Sequence, residues 1–443
     1  MRDFAIFLLA VFLVSCGSTE KHTDHSDTYA DTLLASDENT TSQTSATRGV
    51  RVMTGPEKLI TENIKLLENK RVGIVGNHTS LVFGGTHLVD TLLSLGVKVK
   101  AVFAPEHGFR GTADAGEHVA SGTDSKTGLP LISLYGDNRK PTEKQMQDLD
   151  VIIFDIQDIG SRHYTYIGTM TYVMQACAEH GTPLIVLDRP NPNGGYVDGP
   201  VLEKGNESFI GMHQIPIAHG MTIGEYARMV NEEGWLGNGL IADLTVITCE
   251  GYDHGMTWEE TQLPWVAPSP NIGTEYAAYL YPAICWFEPT PVSVGRGTEE
   301  AFTIIGAPWY QPNATARTPE NGLNYYGLEM KFYSFTPVSL PGKAKEPPFQ
   351  DQLCQGLAFQ NRVDGKALYL AGIQLLSDFY QQHKSAKPGE TFFQKGFNRW
   401  PGSKTLQQQI EAGLTPEAIY ESWQPKVSEF KKMRKKYLLY NDV

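Results

Sequence analysis

One short segment of this sequence combines three side chains whose chemistry could act on a ligand. Residues 104–111 read APEHGFRG, and they place Glu106, His107 and Arg110 directly after residues 97–104, a largely apolar stretch typical of a β-strand. In an open α/β sheet, ligands bind beyond the carboxyl ends of the strands. Glu106 is therefore a candidate to act on a bound ligand. Its alternative role is to cap a helix or brace a loop.

Polar side chains also follow the other predicted strands of the first half of the chain. Because these strand ends converge on one crevice, we predict that their polar groups share one site. Residues 191–195 (NPNGG) could equally form a simple turn. The candidates beyond the first segment are Asn77, His78, Asp155, Gln157, Asp158, Arg162, His163, Tyr164, Asp188, Arg189, Asn191 and Asn193.

The elements that must position these residues are short apolar strands that alternate with helices. This alternation is typical of right-handed βαβ units and predicts an α/β fold with a doubly wound, mostly parallel, Rossmann-like sheet. The predicted strands are residues 71–77, 97–104, 130–134, 151–155, 183–188 and 240–249, and the predicted helices include residues 86–95, 166–180 and 222–234. Thr222 and Glu225 match a capping box at the start of the last helix.

The alternation stops after residues 264–270, which contain three prolines. We therefore predict an N-terminal catalytic domain at residues 50–267 and a smaller α+β C-terminal domain at residues 268–443 that completes the cleft. The elements predicted in the second half are a strand at residues 302–307 and helices at residues 368–383 and 415–437.

The first 49 residues are predicted to lie outside the fold. Arg2 and an apolar run at residues 4–14, too short to span a bilayer, indicate a secretory signal at residues 1–15. The run ends in Leu-Val-Ser-Cys16, which resembles a bacterial lipobox, so we expect a lipid on Cys16. Residues 16–49 then read as a lipidated cysteine followed by a polar, flexible tether. This predicts a protein of the bacterial cell envelope, anchored to a membrane by lipid on its periplasmic face or at the cell surface.

Composition and motifs exclude several classes of function. The net charge of −13 argues against a nucleic-acid partner. Neither a G-x-G-x-x-G nor a Walker A sequence is present, and there is no G-x-S-x-G elbow, so we expect no nucleotide cofactor and no triad hydrolase. The four cysteines after Cys16 form no Cys-x-x-Cys pair, and we predict no metal site, although a metallohydrolase stays open. Disulfide pairing also stays open.

After these exclusions, the pattern that remains is a set of carboxylates together with aromatic side chains. A glycosidase needs a carboxylic acid together with a second carboxylate, or with the acetamido group of its substrate. Aromatic rings can stack on sugar faces, although core packing is the alternative for each of them. The aromatic candidates are Tyr135, Tyr164, Tyr166, Trp286 and Trp309.

Several segments together resemble the NamZ-type exo-β-N-acetylmuramidases, formerly a domain family of unknown function. The resemblance covers nearly all of the chain after the tether. It rests on residues 76–80 (GNHTS), 104–111, 155–166 (DIQDIGSRHYTY), 187–195 (LDRPNPNGG), 219–225 (HGMTIGE), 268–272 (PSPNI), 295–298 (GRGT), 306–309 (GAPW) and 437–440 (YLLY). It implies a Rossmann-like domain, a smaller C-terminal domain and a cleft between them. It also implies release of N-acetylmuramic acid from the non-reducing end of peptidoglycan fragments, in cell-wall turnover or recycling.

The resemblance makes Glu106 the expected catalytic residue, and we interpret it as a general acid tuned by His107 or His163. The candidates for the second carboxylate are Asp155, Asp158 and Glu288, and those for binding the lactyl carboxylate are Arg162, Arg189 and Arg296. Prolines at 289 and 291 stand where the family pattern has glycine and asparagine, and Ala218 stands where it has a basic residue. Two alternatives remain: a non-catalytic, sugar-binding lipoprotein, and a metal-dependent amidase or deacetylase.

Overall fold

The structure, a computed structural model, describes residues 50–110, 121–136, 138–312 and 322–442. Its strands are β1 (Arg71–Gly76), β2 (Leu81–Val82), β3 (Thr86–His87), β4 (Lys98–Ala104), β5 (Gly122–Thr123), β6 (Pro130–Ser133), β7 (Val151–Asp155), β8 (Leu184–Leu187), β9 (Leu244–Ile247), β10 (Ile304–Ala307), β11 (Gly322–Tyr325), β12 (Leu328–Phe335) and β13 (Cys354–Phe359). Its α-helices are α1 (Gly55–Glu62), α2 (Leu88–Ser94), α3 (Glu143–Met146), α4 (Tyr166–His180), α5 (Ile223–Glu232), α6 (Glu275–Ile284), α7 (Gly365–Ala386), α8 (Thr405–Glu411) and α9 (Pro416–Arg434).

A seven-stranded sheet in the order β5-β6-β4-β1-β7-β8-β9 forms the first half of the chain. Six of its strands pair in parallel, and only the short edge strand β5 is antiparallel. Numbered along the chain, the parallel strands lie in the order 3-2-1-4-5-6, which is that of a doubly wound sheet with its switch point between β1 and β7. β7 is buried along its whole length, which explains its uninterrupted apolar sequence. The predicted Rossmann-like sheet is confirmed.

The second half of the chain contains a four-stranded antiparallel sheet in the order β10-β13-β12-β11, together with helices. The long helix α7 packs against α6, α9 and strand β11. This confirms the α+β character predicted for the C-terminal part. β10 falls within a predicted strand, whereas β11, β12 and β13 were not predicted.

Local signals in the sequence account for the ends of the helices near the strand tips. Helix α4 begins and ends at the predicted residues, and Gly181 closes it in the left-handed conformation, with φ at 64°. The capping box of α5 is present: Thr222 accepts a hydrogen bond from the Glu225 backbone N–H, and the Glu225 carboxylate accepts one from the Thr222 N–H at 2.9 Å.

Two further observations bear on the expectations from the sequence. The cysteines of the described residues are buried free thiols, namely Cys177, Cys249, Cys285 and Cys354. Within the described part of the chain, no helix has the length and apolar character that crossing a bilayer requires. The predicted signal, Cys16 and the tether up to residue 49 lie outside the described residues.

Candidate active site

Glu106 lies on a tight turn directly after β4, at the carboxyl edge of the sheet. The turn is closed by the Gly108 N–H, which donates to the Pro105 carbonyl at 3.1 Å. His107 and Gly108 both have positive φ, at 69° and 73°. A left-handed histidine is uncommon, because its Cβ crowds the backbone in that conformation. The turn leaves Glu106 partly exposed, while His107 is buried.

Two hydroxyl groups donate hydrogen bonds to the Glu106 carboxylate. Thr165, the residue immediately before α4, donates from Oγ1 to Oε2 of Glu106 at 3.0 Å. Tyr135, two residues after β6, also hydrogen-bonds to Glu106. Burial, followed by the charge and hydrogen bond of Glu106, raises the pKa of Tyr135 to about 12, so its hydroxyl is a donor at neutral pH. Residues that adjoin β6 and α4 thus hold the Glu106 carboxylate in place.

The C-terminal half of the chain adds an ion pair near this carboxylate. Arg296 donates from Nε and Nη2 to Oε1 of Glu288, at 2.9 and 2.6 Å. Arg296 also interacts electrostatically with Glu106, and its guanidinium lies 5.1 Å from the ring centre of Phe302. About a fifth of each side chain of the pair is exposed, 23% for Arg296 and 20% for Glu288, so a ligand could reach both.

Buried tyrosines form the floor behind Glu106. The rings of Tyr164 and Tyr166 meet edge to face at 5.1 Å, and those of Tyr164 and Tyr281 at 5.8 Å. The Tyr166 hydroxyl accepts from Asn77 Nδ2 at 3.0 Å and donates to the Pro268 carbonyl at 2.7 Å. Asn77, a predicted site residue, therefore holds this floor in place.

Asp155 and Arg189, two further candidates, pair with each other inside the protein. Arg189 donates from Nε and Nη2 to the two Asp155 oxygens, at 2.7 and 3.1 Å, and Nη2 also reaches the Leu81 carbonyl. Burial raises the pKa of Asp155, while the charge of Arg189 opposes this. The ion pair connects the last residue of β7 to the second residue after β8, so it braces the two strand ends.

The Asp158 carboxyl is buried, and only one of its two oxygens has a hydrogen-bond partner among the described residues. Its Oδ2 accepts from the Gly160 N–H at 2.7 Å, whereas no hydrogen-bond partner of Oδ1 is found among the described residues. Burial raises the pKa of this carboxyl to about 7. Gln157, its neighbour, donates from Nε2 to the carbonyls of Asp158 and Pro190. These contacts shape the loop after β7.

Arg162 and His163 connect distant backbone segments. The Arg162 guanidinium donates to the carbonyls of Pro200, Ile215 and Trp400 at 2.7–2.8 Å, and its residue is only 1% exposed. His163 hydrogen-bonds to the Trp400 carbonyl through Nε2 and to the Cys285 thiol through Nδ1. Burial, then the charge of Arg162, lowers the pKa of His163 to about 3, so the ring is neutral at physiological pH.

The remaining candidates lie in turns and ion pairs. Asp188 accepts hydrogen bonds at the start of α5 and from the Tyr440 hydroxyl. Asn191 and Asn193 form a turn whose amides bind backbone carbonyls. Arg110 pairs with Asp124 and Asp90, and His78 contacts the Ala267 carbonyl.

The structure thus brings Glu106, Glu288 and Arg296 together, while most other predicted residues brace the loops around them. The sequence did not single out Thr165 as a site residue, and Tyr135, a candidate as a strand-end residue and as a ring for sugar stacking, was not predicted to hydrogen-bond to Glu106. Their positions in the sequence could have identified them, because Thr165 directly precedes a helix and Tyr135 follows a strand at the same sheet edge as Glu106. Among the described residues, no three His, Cys, Asp or Glu side chains converge in the way that a metal site requires.

The topological switch point opens into a separate cavity of about 170 Å³. Thr79, Gln157 and Arg189 contribute to its lining from the ends of β1, β7 and β8, and Trp258 and Val266 from the chain that follows β9. Glu106 and Tyr135 instead follow β4 and β6 on the other side of β1. The polar strand ends that were predicted to share one crevice therefore lie in two separate places along the same edge of the sheet.

Comparisons with known proteins agree with this architecture. The family models for the N-terminal and C-terminal parts of exo-β-N-acetylmuramidase NamZ match residues 72–276 and 279–440. A peptidoglycan β-N-acetylmuramidase NamZ from Bacillus subtilis is 37% identical over 416 residues, which cover 92% of this chain and 96% of that protein.

Two solved structures of DUF1343 family proteins from Bacteroides fragilis are also similar. One has a TM-score of 0.75 at 41% identity and covers 89% of this chain and 100% of its own. The other has a TM-score of 0.73 at 31% identity and covers 88% of this chain and 99% of its own. With both family models matched across the two sheets, the chain belongs to the exo-β-N-acetylmuramidase NamZ family.

Proposed function

We propose that this protein is an exo-acting glycosidase that releases N-acetylmuramic acid from the non-reducing end of peptidoglycan fragments, in cell-wall turnover or recycling. The observation that carries the proposal is the grouping of Glu106 with the Glu288–Arg296 pair, at the sheet edge where α/β proteins bind ligands. Membership of the NamZ family supports the choice of sugar. The activity named for the Bacillus subtilis relative is that of a β-N-acetylmuramidase.

Glu106 is the proposed catalytic carboxylate. It is partly exposed, it is held by Thr165 and Tyr135, and it lies on a turn with an uncommon backbone conformation. Glu288 is the proposed second carboxylate, because it is the other acidic candidate in the same group that a ligand can reach. Asp155 and Asp158 are not part of the proposal, since both are buried in bracing roles.

Arg296 is the proposed reader of the lactyl carboxylate. N-Acetylmuramic acid differs from N-acetylglucosamine by a lactyl ether with a carboxylate, so its recognition in an acidic protein requires a local cation. A guanidinium binds a carboxylate through two parallel hydrogen bonds. Arg296 uses Nε and Nη2 on Glu288, and Nη1 has no hydrogen-bond partner within the described ranges. Arg162, by contrast, commits its guanidinium to backbone carbonyls.

The experiment is an assay of the purified protein on a chromogenic β-N-acetylmuramide and on the matching glucosaminide. Release of the chromophore from the muramide, with little from the glucosaminide, supports the proposal. Stoichiometric binding of the sugar without release indicates a sugar-binding protein instead. Activity on an acetamido or amide substrate that disappears with a chelator indicates a metal-dependent amidase or deacetylase.

We further propose that the protein is held in the cell envelope by a lipid on Cys16. The support is sequence alone: an apolar run at residues 4–14, the Leu-Val-Ser-Cys16 ending and the polar tether that follows. Peptidoglycan is part of the same cell envelope, so this anchoring places the enzyme beside its proposed substrate. Labelling with a fatty-acid analogue, followed by mass spectrometry of the mature N-terminus, tests this placement.

A further inference from the structure

We propose that the cavity at the topological switch point is a second, non-catalytic binding site, and that it takes the acetamido group of an uncharged amino sugar such as N-acetylglucosamine. In doubly wound sheets the switch point is the usual place for a ligand. Gln157 and Arg189, which the sequence singled out and the proposed function does not use, both line the cavity, whereas Glu106, Glu288 and Arg296 do not. The site is therefore independent of turnover.

One wall of the cavity is a hairpin that hydrogen bonds hold in place. The β2–β3 hairpin contributes Leu81 and Val82 to the lining, and Arg189 Nη2 donates to the Leu81 carbonyl at 3.1 Å. The Phe83 N–H of the same hairpin donates to Oε1 of Glu57 at 3.0 Å. Because these contacts fix the hairpin to two other parts of the fold, the wall is formed before a ligand binds.

Most of the lining is apolar, and the cavity is small. The apolar residues are Leu81, Val82, Trp258, Leu263, Pro264 and Val266. A cavity of about 150 Å³ holds one benzene molecule, so a cavity of about 170 Å³ admits a small group and not a glycan chain. Gly84 and Gly85 line the cavity without side chains, and open space lies beyond their Cα atoms. The rest of a sugar can therefore extend past these two glycines.

The charged residues of the lining are already paired. Arg51 donates from Nη1 and Nη2 to the two oxygens of Glu57, at 3.1 and 2.8 Å. Arg189 is paired with Asp155 through Nε and Nη2. A charged ligand would lose its hydration here without gaining a free counter-charge, and burial of an unpaired charge is costly. The cavity therefore favours an uncharged ligand.

Two buried polar groups of the lining keep a free hydrogen-bonding position. Arg189 Nη1 has no hydrogen-bond partner in the described part of the chain, since Nε and Nη2 make the contacts of this guanidinium. Gln157 donates from Nε2 to the carbonyls of Asp158 and Pro190, at 2.7 and 2.8 Å, which leaves its Oε1 as an acceptor. Arg189 and Gln157 are only 7% and 5% exposed. One free donor and one free acceptor match the C=O and N–H of a secondary amide.

An acetamido group combines the properties that the cavity selects. It is uncharged, its amide can bind the guanidinium and the Gln157 carbonyl oxygen, and its methyl group can pack against the apolar wall. N-Acetylglucosamine carries this group on a neutral sugar, whereas glucosamine has a charged amine and glucose has no amide. N-Acetylmuramic acid carries a carboxylate as well, for which the paired charges of the cavity offer no free cation.

The test measures binding of N-acetylglucosamine to the purified protein by titration calorimetry and by saturation-transfer NMR. We expect one sugar per cavity, the strongest saturation transfer on the acetamido methyl protons, and at least about tenfold weaker binding of glucosamine and glucose. Val266→Phe fills the cavity and should weaken binding at least about tenfold. Val266→Ala, the matched control, leaves the space open and should bind normally. Both variants should turn over the chromogenic muramide at the unmodified rate.

Several results would overturn the inference. Equal binding by Val266→Phe and by the unmodified protein, or displacement of the sugar by N-acetylmuramic acid, would place it outside a separate cavity site. Equal affinity for glucose would exclude recognition of the acetamido group, and no binding at millimolar concentrations would exclude the site. The comparison of the three sugars needs no variant, so it decides the question even if Val266→Phe does not fold. Failure of the proposed function is distinguishable, because it abolishes chromophore release and leaves the binding measurements unchanged.

Discussion

Arg296 binds Glu288 through two hydrogen bonds to a single oxygen, Oε1, and this leaves one edge of the guanidinium for a ligand. The two residues lie eight positions apart and flank a segment that includes Pro289 and Pro291. Both prolines contribute carbonyls to the framework, Pro289 as an acceptor for the Gln394 N–H and Pro291 for Trp309 Nε1. These two carbonyls connect the segment beside the ion pair to Gln394 and Trp309, and they are main-chain groups that glycine and asparagine would offer equally.

Glu106→Gln is expected to lower kcat on the muramide by about 10²–10⁴-fold, the range lost with a catalytic acid or base. The amide keeps the shape of the side chain but cannot ionise, so the melting temperature should stay close to that of the unmodified protein. Steady-state kinetics measures the loss in kcat, and thermal unfolding measures the melting temperature. Glu62→Gln, a change at the exposed end of α1, serves as the control, and near-normal turnover by Glu106→Gln would contradict the assignment.

Arg296→Ala should reduce the preference for the muramide over the glucosaminide. Loss of charge-assisted hydrogen bonds to the lactyl carboxylate corresponds to about 10–100-fold in kcat/KM on the muramide. The measured quantity is the ratio of kcat/KM for the two substrates. Arg71→Ala, which breaks a comparable ion pair with Asp150 at the opposite end of β1, should leave that ratio unchanged. Equal losses on both substrates after Arg296→Ala would exclude lactyl recognition.

Arg162→Met is expected to destabilise the fold rather than change specificity. The substitution removes the charged donor of the Pro200, Ile215 and Trp400 carbonyls, and a hydrogen bond to a charged group is worth about 1.5–3 kcal/mol. The Ile215 carbonyl keeps the Leu202 N–H and the Trp400 carbonyl keeps His163 Nε2, whereas the Pro200 carbonyl keeps no other donor among the described residues. Chemical denaturation should therefore show a large loss in the free energy of unfolding. A selective loss of muramide turnover with an unchanged unfolding midpoint would instead return Arg162 to the binding site.

Asp158→Asn should stabilise the protein at pH 8. Burial raises the pKa of Asp158 to about 7 from 3.8, so the folded state binds the proton more tightly than the unfolded state. The contribution of this carboxyl to stability is present at low pH and is lost as the pH rises from about 4 to about 7. A neutral amide removes that dependence, which amounts to on the order of 2–4 kcal/mol.

Denaturant unfolding at a series of pH values checks this prediction. The gain from Asp158→Asn should be largest at pH 8 and should disappear near pH 4. The Gly160 N–H can still donate to the amide oxygen, so the loop keeps its hydrogen bond. A gain that is constant over the whole range would contradict the ionisation argument, and loss of muramide turnover would restore Asp158 as a candidate second carboxylate.

Cys16→Ala is expected to release the protein from the membrane fraction. A cysteine that carries several acyl chains anchors firmly, whereas a single chain or none binds only marginally. Fractionation of cells and detection of the protein in each fraction measure this effect. Full retention of the variant in the membrane fraction would argue against lipid attachment at this residue.

Sequence by itself determined the parallel sheet and the position of Glu106. The apolar runs of β1, β4, β7 and β8 are local signals. A buried parallel strand can be identified from such a run without knowing which strands pair with it. Capping residues such as Thr222 likewise act on their own neighbours in the chain. Glu106 was found because it follows a strand, and strand ends are where such sheets bind ligands.

Only the tertiary structure decided which polar residues surround Glu106. Thr165 lies 59 positions away in sequence, and the Arg296–Glu288 pair lies in the other half of the chain. Asp155 was a candidate second carboxylate and Arg189 a candidate for binding the lactyl carboxylate, yet they neutralise each other across 34 positions and brace the sheet. Whether a charged side chain binds a ligand or a neighbour depends on which opposite charge the fold brings within hydrogen-bond distance, and no local pattern contains that distance.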